Sequence, residues 1–142
     1  MKNRTGYSLV LKSGEETLFA SRGRGLRPLL ECAARFAGAP EGRTVIDRAI
    51  GTAAARVIAA ARLADRAEAR VISRAAIPYL RERGIEVTWE EAVDHILTPD
   101  DSGTCPLEEM SRRHPSDREF LTALYRRFSI SPPDFVRLSP EG

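Results

Sequence analysis

The chain has 142 residues, 42% hydrophobic and 30% charged, which is the length of one domain and the balance of a globular protein. Its net charge of +2 is too small to imply a nucleic-acid partner, and no apolar run nears the roughly 20 residues that cross a bilayer. The opening MKNRTGYSLV lacks a signal-peptide core, so a cytoplasmic protein with no membrane partner is expected.

Lys2 and Lys12 are the only lysines, and the arginines alternate with Asp and Glu along helical stretches. That pattern marks solvated faces with local ion pairs. Two cysteines, Cys32 and Cys105, form neither a disulfide framework nor a C-x-x-C pair. Cys32 falls in an apolar helical pattern and reads as a small core residue.

In chain order, Tyr7–Lys12 reads as a strand, Ser13-Gly14 as a turn and Thr17–Ser21 as the returning strand. A basic glycine-rich loop through Arg27 follows, with Pro28 placed to open a helix that carries Leu29, Leu30, Ala33, Phe36 and Ala37. Gly38 and Pro40 stop it. Thr44–Ile46 is a short buried strand ending at Asp47, and a long helix is expected from about Arg48 to Leu63. Ala69–Ile72 is a strand leaving through Ser73, Ala75–Arg83 a helix closed by Gly84, and Ile85–Trp89 a strand. Glu90–Ile96 reads as a short helix. Thr98–Thr104 is an acidic loop, Cys105-Pro106 opens a helix to about Arg112, and Ser116–Phe128 is the last helix. The proline-rich end, residues 129–142, is expected to be a flexible tail on a single domain of residues 1–128.

A hairpin followed by alternating helices and strands predicts a mixed five-stranded sheet covered by helices. Ligands of such folds bind beyond the carboxyl ends of the strands, near helix N-termini. Asp47, Ser73 and Cys105 all fall at such junctions.

Four stretches carry a family resemblance: YSLVLKSGEETLFASRGRGLRPLLE, VIDRAIGTAAARVI, VISRAAIPYLRERGIEV and DSGTCPLEEM. Together they resemble a bacterial and archaeal domain-of-unknown-function family, number eighteen ninety-three in that naming, over roughly residues 7–128. The resemblance implies a cytidine deaminase-like, three-layer α/β/α fold and a pocket, without a settled activity. Deaminases of that fold carry H-x-E or C-x-E at one helix start and P-C-x-x-C at another, holding zinc beside a proton-shuttling glutamate. Here Asp47-Arg48-Ala49 and Cys105-Pro106-Leu107-Glu108 stand in those places. Asp47 and Cys105 are too few for a three-ligand catalytic site, so no metal and no cofactor are expected.

Each candidate also has a structural reading. Asp47 and Ser73 would serve as helix N-caps, and Cys105, Pro106 and Glu108 would form a capped helix start. As functional groups, Asp47 and Cys105 are the catalytic candidates, with Cys105 a thiol whose pKa a helix N-terminus would lower. Ser73, Gly51, Thr52, Arg27, Thr104 and Glu108 are the ligand-binding candidates. Gly51 would admit a close ligand, and Arg27 would hold an anion near a helix start. His95 and His114 belong to no ligand pattern. The first functional expectation is a metal-free domain binding a small nucleoside-like or heterocyclic molecule. The alternatives are an enzyme using Cys105 as nucleophile or sulfur carrier with Asp47 as base, and a structural or regulatory interaction module. Homo-oligomer formation is left open.

Overall fold

The computed structural model describes residues 6–94, 96, 110 and 113–133. Among them a five-stranded mixed sheet runs in the order β2-β1-β3-β4-β5. The strands are β1 (Leu9–Ser13), β2 (Glu16–Ser21), β3 (Arg43–Ile50), β4 (Arg66–Ser73) and β5 (Glu86–Val93). The helices flanking it are α1 (Arg27–Phe36), α2 (Thr52–Ala60), α3 (Ala76–Glu82) and α4 (Asp117–Arg127). None of the described helices is long and apolar enough to cross a membrane.

The hairpin forms where the sequence places it, around Gly14, whose φ of +59° suits a residue without a Cβ. β1 is antiparallel to both β2 and β3, whereas β3, β4 and β5 are parallel. β2 therefore runs parallel to β3, and all three helical crossovers advance across the sheet in one direction. Right-handed connections place α1, α2 and α3 over the same face. Side-chain alternation agrees: Leu9, Leu11, Val45, Ala67, Ala69 and Val87 are buried in one cluster with the helices. The intervening positions Lys12, Thr44, Arg48, Arg66, Arg70, Thr88 and Glu90 retain solvent exposure.

Small side chains set the packing. Ala53, Ala54, Ala55, Val57 and Ile58 of α2 are all buried, as a helix enclosed on several sides requires. α4 packs over α1 and α2 through Phe120, Leu121, Leu124 and Tyr125, each at most 3% exposed.

Three boundaries differ from those expected. The helix placed from Arg48 begins at Thr52, because residues through Ile50 pair with β4 and use their backbone groups in the ladder. Glu90–Ile96, expected as a helix, instead belongs to β5 as far as Val93, which pairs with Ser73. Leu63, expected inside the long helix, is a buried residue beyond the end of α2. The Thr98–Thr104 loop and most of the 129–142 tail lie outside the described residues.

Candidate functional site

Asp47 sits in the body of β3, three residues before the strand ends, opposite Leu9 on one side and Ala69 on the other. It is thus not a helix N-cap, and that reading is corrected: Gly51 occupies the cap position of α2. Strand alternation turns Asp47 toward the helix-covered face that also holds Val45 and Leu9. Its Oδ1 accepts a long hydrogen bond of 3.4 Å from the Ala49 N–H. Burial pushes the carboxyl up to about 7, a rise that the Ala49 and Arg48 backbone N–H groups and the Arg48 charge only partly oppose. The residue as a whole is partly exposed.

Ser73 is the last residue of β4 and is 1% exposed. It does not cap α3 either, since Ala75 holds that position without a side-chain hydrogen bond. By the β3–β4 register it lies four residues beyond Ala69, the partner of Asp47, roughly 13 Å at the usual strand rise. The sheet therefore does not bring the two into contact.

Gly51 and Thr52 lie where β3 hands over to α2. Among the described residues no side chain caps the first turn of α2, which itself carries no acidic residue. A Cβ at Gly51 would meet the Ile96 side chain at 3.6 Å, an ordinary contact. The Ile96 side chain thus lies beside the Gly51 backbone.

Arg27 does not stand in an open anion loop. It donates to the Phe128 carbonyl at the end of α4, stacks near the Phe128 ring with its guanidinium carbon 5.8 Å from the centroid, and lies 3.8 Å from Glu31 one helical turn on. Its work is to tie α4 to α1. Thr104, Cys105 and Glu108 lie outside the described residues. Cys32, expected in the core, is there: it is fully buried, and burial pushes its thiol up to about 12 against the opposing charges of Arg43 and Arg35. Among the described residues no three His, Cys, Asp or Glu side chains come together as a metal site.

A family model described as TM1506, a domain of unknown function designated DUF1893, matches residues 1–128. The chain belongs to the DUF1893 family. The crystal structure of a DUF1893 family protein, TM1506 from Thermotoga maritima, is 29% identical, covering 85% of this chain and 80% of that one with a TM-score of 0.75. No curated protein matches the chain. Within this DUF1893 domain the strongest polar feature that the sequence did not reveal is Arg56. Its guanidinium is buried where α2, α3 and α4 meet, and the only sequence signal is an arginine inside the apolar run TAAARVIAA.

Proposed function

We propose that this DUF1893 domain binds a small heterocyclic ligand of the nucleoside class, with Asp47 as the group that reads it. The observation carrying the proposal is the place of Asp47, a partly exposed residue in the body of β3 whose carboxyl burial pushes up to about 7. A carboxyl that is half protonated at neutral pH offers an O–H donor beside an oxygen acceptor. That pair complements the adjacent donor and acceptor on the edge of a nucleobase. The backbone N–H groups at the start of α2, beside Thr52, would donate to an oxygen of the same ligand. Ser73, at the end of β4, would line the further end of the site.

The fold reading that accompanies the proposal is the cytidine deaminase-like one implied by the sequence resemblance, without its zinc-ligand pattern. The hairpin-first mixed sheet with helical crossovers supports it. Chemistry on the ligand is not part of the proposal.

A thermal-shift panel of the common nucleobases and nucleosides at pH 6.5 tests it. At least one should stabilise the protein, by about 2.7 kcal/mol when present at a hundredfold its dissociation constant. Asp47→Ala should abolish that stabilisation, while Asp47→Asn, which keeps one donor and one acceptor, should retain part of it. No stabilisation by any member at millimolar concentration refutes the proposal.

A further inference from the structure

Charge on this chain is unevenly distributed. Residues 22–30 and 120–133 carry Arg22, Arg24, Arg27, Arg126 and Arg127, and all 20 acidic residues lie outside these two segments. The fold brings the segments together. Arg27, the first residue of α1, donates to the Phe128 carbonyl just past α4, so the loop before α1 lies beside the last turn of α4. We propose that this corner is a nucleic-acid contact surface, where Arg24, Arg126 and Arg127 hold the phosphodiester backbone without reading its sequence.

The arginines of the corner do different work. Arg22 is engaged over the Tyr7 ring, 4.3 Å from its centroid, and Arg27 by Phe128 and Glu31. Arg24, Arg126 and Arg127 are exposed, and none of the three pairs with a carboxylate among the described residues. On the far side of the sheet, by contrast, Arg66 is matched by Glu86 and Arg74 by Asp94. A local excess of cations that a net charge of +2 conceals is the footprint of a surface for polyanions. The planar guanidinium fork also fits the oxygens of a phosphate.

Geometry selects a polymer over a single phosphate. Arg126 and Arg127 are adjacent residues of one helix and project about 100° apart. Arg24 comes to the corner from a different element, the loop in which Gly25 takes a φ of +68°. Cations that diverge in this way do not close on one small anion, but they can follow phosphates spaced along a strand. Contacts of that kind fix position and carry no sequence information. A membrane fits less well. The neighbouring apolar side chains, Phe128 and Ile130, pack against the core and do not stand out for a bilayer to take up.

Fluorescence anisotropy of the full chain with a labelled DNA duplex of about 20 base pairs, at about 50 to about 150 mM salt, is the test. The wild type should bind with a dissociation constant below about 100 μM at the lowest salt, whatever the sequence of the duplex. Three phosphate contacts give a slope of about −2.7 in log affinity against log salt, a loss of about 20-fold over that range. Arg24→Ala, and separately Arg126→Ala with Arg127→Ala, should weaken binding and flatten the slope by about 0.9 for each arginine removed. Lysine at all three positions keeps the charge and should keep the slope. Arg81→Ala, on α3, should bind as the wild type does. Asp47→Ala should do the same, which separates this surface from the Asp47 site. Absence of binding at about 50 mM salt, or a slope unchanged by the alanine variants, overturns the proposal. So does equal or tighter binding to poly-glutamate or to phosphatidylglycerol vesicles, which would assign the corner to an acidic protein or to a membrane.

Discussion

Arg56 of α2 holds Asp117 of α4 through two hydrogen bonds to one carboxylate oxygen, 2.8 Å from Nη2 and 3.2 Å from Nε. The same guanidinium donates to the Pro115 carbonyl at 3.1 Å and stacks 4.2 Å from the centroid of the Phe120 ring. One side chain thus fixes the entrance of α4, while Arg27 holds its exit at Phe128. The Arg56 side chain is 10% exposed and that of Asp117 is 51% exposed, so the two ends of the pair are not energetically equivalent.

Arg56→Ala should therefore cost more than Asp117→Ala. Removing the arginine leaves the Pro115 carbonyl without this donor and opens a gap beside Phe120, for an expected loss of about 2–3 kcal/mol. Asp117 can turn to water, and its removal should cost about 1 kcal/mol or less. Arg56→Lys should fall near the alanine variant, because an ammonium cannot reproduce the planar multi-donor fit. Urea unfolding of the three variants measures these differences. An Asp117→Ala loss equal to that of Arg56→Ala would show that the pair acts as one buried unit.

Tyr125 ties α4 to α1, donating its hydroxyl proton to the Leu30 carbonyl at 2.8 Å. Both groups are buried. Tyr125→Phe keeps the ring packing and leaves the carbonyl without this donor, so about 1–2 kcal/mol should be lost in urea unfolding with little change in m.

Cys32 should be inert in the folded state. Its thiol is fully enclosed, and with its pKa pushed up to about 12 almost no thiolate exists near neutrality. Iodoacetamide at pH 8 should modify Cys32 more than about 100-fold more slowly in the native protein than in urea, as read by peptide mass spectrometry. Rapid native labelling would show that α1 opens readily.

Most of this architecture was legible because its signals are periodic. The hairpin around Gly14 and the stripe Leu29, Leu30 and Ala33 on α1 follow from spacing alone, and both formed as expected. The errors fell where local chemistry and tertiary pairing disagree. Asp47 before an alanine-rich run looks like a helix cap, but β4 draws β3 onward to Ile50, and ladder hydrogen bonds outweigh the cap. Glu90 and Glu91 favour a helix by propensity, yet they continue an edge strand whose outer side tolerates charge. The candidate site was harder still. The contacts of Arg27 and Arg56 with α4 join residues 101 and 61 positions apart, and no short-range pattern encodes them.

The pH dependence of stability isolates Asp47. In the fold its carboxyl titrates near 7 rather than at its ordinary 3.8. Between those values the folded chain keeps a proton that the unfolded chain has released, so stability falls as pH rises from about 4 to about 7 and levels off above. Three pK units set a ceiling of about 4 kcal/mol, and partial exposure of the residue lowers the expected loss to about 1–3 kcal/mol. Asp47→Asn cannot ionise and should remove this slope. At pH 8 it should melt above the wild type, and at pH 4, where both side chains are neutral, the two should converge. Differential scanning calorimetry from pH 4 to pH 8 reads both curves. Parallel curves at all pH values would mean that the Asp47 carboxyl is well solvated, and the poised donor–acceptor pair on which ligand recognition rests would be lost with it.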